Sequence, residues 1–125
     1  MIVGRVNSDR EAIVSLVVQG LQGQTREIEA VVDTGFTGLL TLPPDLIAEL
    51  DLPLRAQGRA VLGDGREITF DIFKAHVIWD GRAHPIDVDS AETVPLVGMG
   101  LLENHELWIQ VFFGGSVVIQ ELSIS

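Results

Sequence analysis

Along the chain the apolar residues fall in short runs of Val, Ile, Leu and Phe with interspersed Thr, broken by 13 Gly and 5 Pro. Runs of this length between turn formers are the pattern of strands, so the chain is expected to be mostly β. Two such runs, residues 12–19 and 27–32, flank Gly20-Leu21-Gln22-Gly23-Gln24, whose glycines can take positive φ, and the pair reads as a hairpin. A third run covers residues 39–42, after which Pro43-Pro44-Asp45 opens Leu46-Ile47-Ala48-Glu49-Leu50 as one or two helical turns, Pro and Asp being suited to a first turn. Residues 60–62 and 66–79 flank Gly63-Asp64-Gly65, a tight tip whose second arm is long enough to project beyond a core. In that arm Ile68, Phe70 and Ile72 share one face while Phe73, Ala75, Val77 and Trp79 take the other parity, which predicts a bulge or bend near Ile72-Phe73. Asp80-Gly81 turns into residues 83–88, and a polar loop runs to Pro95 before Leu96-Val97-Gly98. A short helix is expected over residues 101–104, then a last hairpin of residues 107–113 and 116–124 around Gly114-Gly115. An apolar strand that ends in a Gly-containing bend and leads to a helical turn occurs near residues 32–38 and again near 96–100, a faint internal echo.

Composition narrows this picture. The 125 residues contain no linker or low-complexity stretch, and 46% hydrophobic with 21% charged is a globular balance, so residues 1–125 read as one domain. Zero Cys excludes thiolate metal sites, Cys nucleophiles and disulfides, and fits a reducing, cytoplasmic setting. With Lys+Arg 8 against Asp+Glu 18 the net charge is -10, which repels phosphate backbones and anionic lipid, so neither nucleic acid nor membrane is expected as a partner. No apolar stretch approaches the ~20 residues of a spanning helix. His76, His84 and His105 lack metal-ligand spacing, and Asp87, Asp89 and Glu92 read as solvated charge rather than a cation loop; no metal or other cofactor is expected. Trp79 and Trp108 are expected as core or interface anchors.

The sharpest local signal is Val31-Val32-Asp33-Thr34-Gly35-Phe36-Thr37-Gly38, a carboxylate directly after an apolar strand and followed by two glycines. An Asx turn that merely closes the strand accounts for a bare Asp-Thr-Gly equally well. Three features accompany the tripeptide: apolar residues on both sides, a Gly-tipped hairpin some thirty residues later, and Leu96-Val97-Gly98-Met99-Gly100-Leu101-Leu102. Together they resemble the retropepsin-like aspartic proteases over nearly the whole chain. The resemblance implies a closed acid-protease β-barrel with one or two short helices. It implies a homodimer, because each protomer of that family carries one Asp-Thr-Gly and two aspartates must meet at a twofold axis. It further implies hydrolysis of peptide or protein substrates by Asp33, with Thr34 bonding across the axis, Gly35 letting substrate backbone approach, and Gly63, Asp64 and Gly65 forming a mobile flap. Ordinary readings remain beside these, a turn hydroxyl for Thr34 and a common hairpin turn for Gly63-Asp64-Gly65.

Two departures separate the chain from the retroviral members. Where those enzymes carry an acidic residue and an arginine in a clamp near the dimer contact, this chain has Thr37 and Met99. Two strands rather than one follow the expected final helix, which is closer to bacterial stand-alone relatives and to the protease domain of DNA-damage-inducible ubiquitin-shuttle proteins; the dimer contact would then be the last hairpin. The zero Tyr count sets it apart from pepsin-like flaps. A rival keeps the fold and drops the chemistry: a non-catalytic dimeric barrel that grips extended peptides or serves only to dimerise.

Overall fold

The computed structural model describes residues 1–123. Ten strands and two short helices follow one another as β1 (Ile2–Val6), β2 (Ala12–Gln19), β3 (Thr25–Val32), β4 (Leu40–Leu42), α1 (Pro44–Glu49), β5 (Leu54–Val61), β6 (Glu67–Trp79), β7 (Arg82–Ser90), β8 (Leu96–Val97), α2 (Met99–Leu102), β9 (His105–Ile109) and β10 (Ser116–Glu121). The strands form one sheet in the order β5-β6-β7-β4-β8-β3-β2-β1-β10-β9, and an added β6–β2 pairing closes six of them, β2, β3, β8, β4, β7 and β6, into a barrel. Closure leaves those six strands without an open edge. It depends on β2, whose first residues pair with β1 (Val14 with Gly4) while its last pair with β6 (Gln19 with His76). Two pairs, β3–β8 and β4–β7, are parallel and the remainder antiparallel.

Alternation explains which side chains fill the barrel. In β2, Ala12, Val14, Leu16 and Val18 are buried while the residues between them are not. In β6, Ala75, Val77 and Trp79 point inward. They meet Leu40, Leu42, Val88 and Val97 in a core that continues to Val117 and Ile119 of β10. Trp79 is the expected core anchor, its indole N–H donating to His105 Nε2 at 3.1 Å. His105 Nδ1 lies 2.9 Å from the Glu103 carbonyl oxygen, so it donates there and leaves Nε2 as acceptor. Trp108 is 62% exposed.

Several boundaries differ from the sequence expectation. β1 has no counterpart in that reading; its backbone approaches β2 so closely that a Cβ on Gly4 would lie 1.8 Å from the Ile13 carbonyl oxygen. β5 begins at Leu54 rather than residue 60, because the projecting arm buries neither face and so carries no apolar alternation. The irregularity expected at Ile72-Phe73 lies in the opposite strand, where Leu54 pairs with Phe73 and Ala56 with Ile72, so that Arg55 is the extra residue. The helix α2 starts at Met99, two residues early, and β9 ends at Ile109, leaving residues 110–115 as a loop tied to β1 by Val6 N–H to Gly115 O and Gly114 N–H to Val6 O, both 2.9 Å. β10 ends at Glu121, and Ile124 of the expected last strand lies outside the described residues. No helix among the described residues is long and apolar enough to cross a membrane.

Candidate active site

Asp33 stands at the end of β3, between β2 and the parallel β8, and its N–H donates to the Val97 carbonyl at 2.8 Å. Its Oδ1 accepts from the Gly35 N–H at 2.9 Å while its carbonyl accepts from Phe36 N–H at 3.1 Å, so an Asx turn and a β-turn are nested and orient the carboxylate. Asp33 is half-buried; Thr34 and Gly35 are exposed.

The loop rests on β8 and α2 through three backbone bonds: Gly98 N–H to Leu39 O at 3.0 Å, Met99 N–H to Phe36 O at 2.7 Å and Gly100 N–H to Gly38 O at 3.0 Å. The segments touch because three positions carry no side chain. A Cβ on Gly98 would lie 2.2 Å from Gly38 O and 2.5 Å from the Phe36 ring, one on Gly100 2.9 Å from Gly38 O, and one on Gly38 2.5 Å from the Phe36 ring. Leu96-Val97-Gly98 therefore supports the aspartate loop, and the internal echo in the sequence is the parallel β3–β8 pair. Thr37 and Met99 flank the same bonded contact, with no charge at either place.

Asp33 and Thr34 line an open cleft of ≈ 400 Å³ together with Arg10, Glu11, Ile109 and Val111. Continuing the β2–β3 register, in which Ile13 faces Val31, sets Glu11 beside Asp33. The Glu11 carboxylate accepts from Asn7 Nδ2 at 2.9 Å. The sequence reading missed Arg10, Glu11, Ile109 and Val111 as cleft walls; for the first two the one local signal was Asn7, whose Oδ1 accepts from the N–H groups of Asp9 and Glu11 and builds the β1–β2 turn.

Gly63, Asp64 and Gly65 sit at the tip of the β5–β6 arm and line no part of this cleft. The tip is a three-residue loop with Gly65 at φ 87° and Gly65 N–H donating to Leu62 O at 2.9 Å. Gly63 does not have positive φ, so only one of the two glycines is demanded by backbone conformation. The Arg66 backbone N–H, followed by its guanidinium, donates to the Asp64 carboxylate and holds it below its usual range. The base of the arm meets the aspartate loop: Ile72 pairs with Asp89, whose Oδ2 lies 3.4 Å from where a Gly38 Cβ would be. Burial, with a smaller contribution from the Asp87 charge, pushes the Asp89 carboxyl up. No group of three or more His, Cys, Asp or Glu among the described residues is placed to hold a metal.

The barrel, the supported aspartate loop and the projecting arm together have the retropepsin-like acid-protease fold. A solved structure, that of a retropepsin-like aspartic protease from Rickettsia conorii, is similar with a TM-score of 0.58 at 16% identity, covering 98% of this chain and 91% of that one. No family model and no curated protein matches the sequence.

Proposed function

We propose that the chain is an aspartic endopeptidase that works as a homodimer. The observation that carries this reading is Asp33-Thr34-Gly35 in a nested turn at the end of β3, braced by Val97 and Gly98, within a retropepsin-like fold. One chain supplies one such aspartate, and water activation needs two. Two carboxyls a few ångströms apart share a single proton, since both cannot be ionised at once. The ionised Asp33 takes a proton from a water that attacks the scissile carbonyl carbon. The protonated Asp33 of the second protomer donates to the carbonyl oxygen, and the resulting diol collapses as a proton passes to the leaving amine. Neither metal nor cofactor enters these steps.

The contact between protomers is assigned to the β9–β10 hairpin. Its loop exposes Val111, Phe112 and Phe113 at 67%, 60% and 77%, and Ile109 and Val111 border the cleft of Asp33, so a second copy seated there brings the two cleft mouths together. The arm tipped by Gly63, Asp64 and Gly65 is assigned the role of a flap over bound peptide.

The test is incubation of a denatured apolar protein with the chain at about pH 4 to 6, where one carboxyl of a pair is protonated, with and without a statine-type mimic of the diol. Cleavage blocked by the mimic and absent in Asp33→Asn supports the reading. The amide oxygen of Asn can still accept from Gly35 N–H, so that variant keeps its turn and its melting temperature. Peptide binding with no hydrolysis in either protein favours the non-catalytic barrel.

A further inference from the structure

Three hairpins of this chain close in the same way. In residues 62–66 the bonds are Gly65 N–H to Leu62 O and Leu62 N–H to Arg66 O; in residues 20–24 they are Gly23 N–H to Gly20 O and Gly20 N–H to Gln24 O; in residues 7–11 they are Arg10 N–H to Asn7 O at 3.2 Å and Asn7 N–H to Glu11 O at 3.0 Å. Each places its fourth residue in the left-handed region, at φ 87° for Gly65, 91° for Gly23 and 62° for Arg10. Glycine takes that conformation freely, and Asn and Asp tolerate it, as Asp51, Asp80 and Asn104 do here. Arg10 is the exception: an unbranched but bulky side chain on a backbone that disfavours it, among the described residues the one positive-φ position occupied by neither Gly, Asn nor Asp. Backbone strain of this kind clusters at functional sites.

The place of that side chain indicates the task. Arg10 lines the cleft of Asp33. Arg26, Arg55 and Arg66 each pair with a carboxylate; Arg10, like Arg5, Arg59, Lys74 and Arg82, takes part in no ion pair among the described residues, but of these five it alone lines the cleft, beside Glu11, which is held by Asn7. Other walls of the cleft, Val31, Leu96, Ile109 and Val111, are apolar. Among the residues lining the cleft Arg10 is the one cation; it makes no ion pair with the Glu11 or Asp33 carboxylates that share the lining, and it offers a planar pair of donors to a carboxylate.

We propose that Arg10 is a specificity-determining residue, which receives an Asp or Glu side chain of the bound peptide close to the scissile bond. The proposal rests on the peptidase reading of the same cleft. A peptide with an acidic residue there gains a charge-assisted contact that offsets its repulsion by the rest of the protein, while apolar neighbours occupy the apolar walls.

The experiment uses a set of otherwise identical peptides with a single Glu, or Gln, placed in turn at each position flanking an apolar scissile pair. Hydrolysis by the parent protein is measured as kcat/KM, and binding to Asp33→Asn by fluorescence anisotropy, at low and high salt. At one position Glu should be preferred over Gln by about five- to tenfold at low salt, and less at high salt, as expected for a partly solvated charge pair. Arg10→Lys should retain most of the preference. Arg10→Gly should abolish it while melting at or above the parent temperature, because glycine relieves the left-handed strain; a merely structural role for Arg10 cannot produce that combination. Equal treatment of Glu and Gln peptides at every position in both assays overturns the proposal. So does an Arg10→Gly protein that keeps the preference for Glu in either assay, whatever its oligomeric state. Hydrolysis without charge preference leaves the peptidase reading intact, whereas charge-selective binding without hydrolysis leaves Arg10 intact and removes the peptidase.

Discussion

Gly98→Ala adds one methyl group at the support of the aspartate loop, and the structure sets how much room it has. The new Cβ would lie 2.2 Å from the Gly38 carbonyl oxygen, 2.5 Å from the Phe36 ring and 2.9 Å from the Phe36 carbonyl oxygen. Carbon–oxygen contacts settle at about 3.3 Å or more, so the Gly38 carbonyl must move by roughly 1 Å. That carbonyl accepts from Gly100 N–H, and the Phe36 carbonyl accepts from Met99 N–H, so the displacement loosens both bonds as well as the ring contact. Gly98 has φ -98°, ordinary for any residue, so space alone and not backbone conformation requires glycine. Overpacking of this kind costs about 2 to 4 kcal/mol, which lowers the melting temperature of a chain this size by roughly 8 to 15 °C. The control is Gly63→Ala, where a Cβ meets nothing within 4 Å and φ is not positive; its effect should stay within about 1 kcal/mol and can be stabilising. Circular dichroism melts of the three proteins, with peptide turnover at a temperature where all are folded, make the comparison. A Gly98→Ala protein that melts within a degree or two of the parent would refute the packing argument.

At the arm tip, Gly65→Val should lower stability and turnover because Gly65 is at φ 87°, while Gly63→Val, with open space and no positive φ, should leave the fold unchanged; identical melts for the two would contradict the assigned loop type. Phe112→Gln combined with Phe113→Gln removes exposed apolar surface without touching the core, so sedimentation should show a weaker dimer at an unchanged melting temperature, and an unaltered dimer would remove the hairpin from the contact. Deleting residues 116–125 is a different perturbation: it takes away β10, with buried Val117 and Ile119, from between β1 and β9, and should unfold the chain rather than merely separate protomers. Asp89 has a raised carboxyl pKa, so its protonated form is the one the fold favours; that stabilisation is complete below the ordinary aspartate value and is lost as pH rises through the folded value. Asp89→Asn should therefore melt higher than the parent at neutral pH, with the gap closing in acid, and a gap independent of pH would show that ionisation is not its cause.

Local pattern and local chemistry carried much of this protein. The runs that became β2, β3 and β6 were legible because each turns one face to the core, and alternation with period two is the direct consequence of half-burial, whereas β4 is a short run buried on both faces. The turns were legible because glycine at a left-handed position is a local requirement, as at Gly23 and Gly65. Asp33 stood out by its place after an apolar strand and before two glycines. What escaped was set by contacts distant in the chain. β1 turns Ile2 and Val6 inward, but its other inward position is Gly4 and its exposed Val3 is apolar, which blurs the alternation, while β5 pairs with β6 along its length and buries neither face. The extra residue opposite Ile72-Phe73 was assigned to the wrong strand, because parity shows that two faces exchange but not which partner carries the additional residue. Barrel closure depends on β2 dividing its hydrogen bonds between β1 and β6, a choice open to any strand until the tertiary structure exists. Arg10 is the sharpest case: in the chain it is one polar residue in a polar turn, twenty-three positions before Asp33, and only the β2–β3 register and the three-residue loop, which set its φ and its direction, bring its charge to the same cleft.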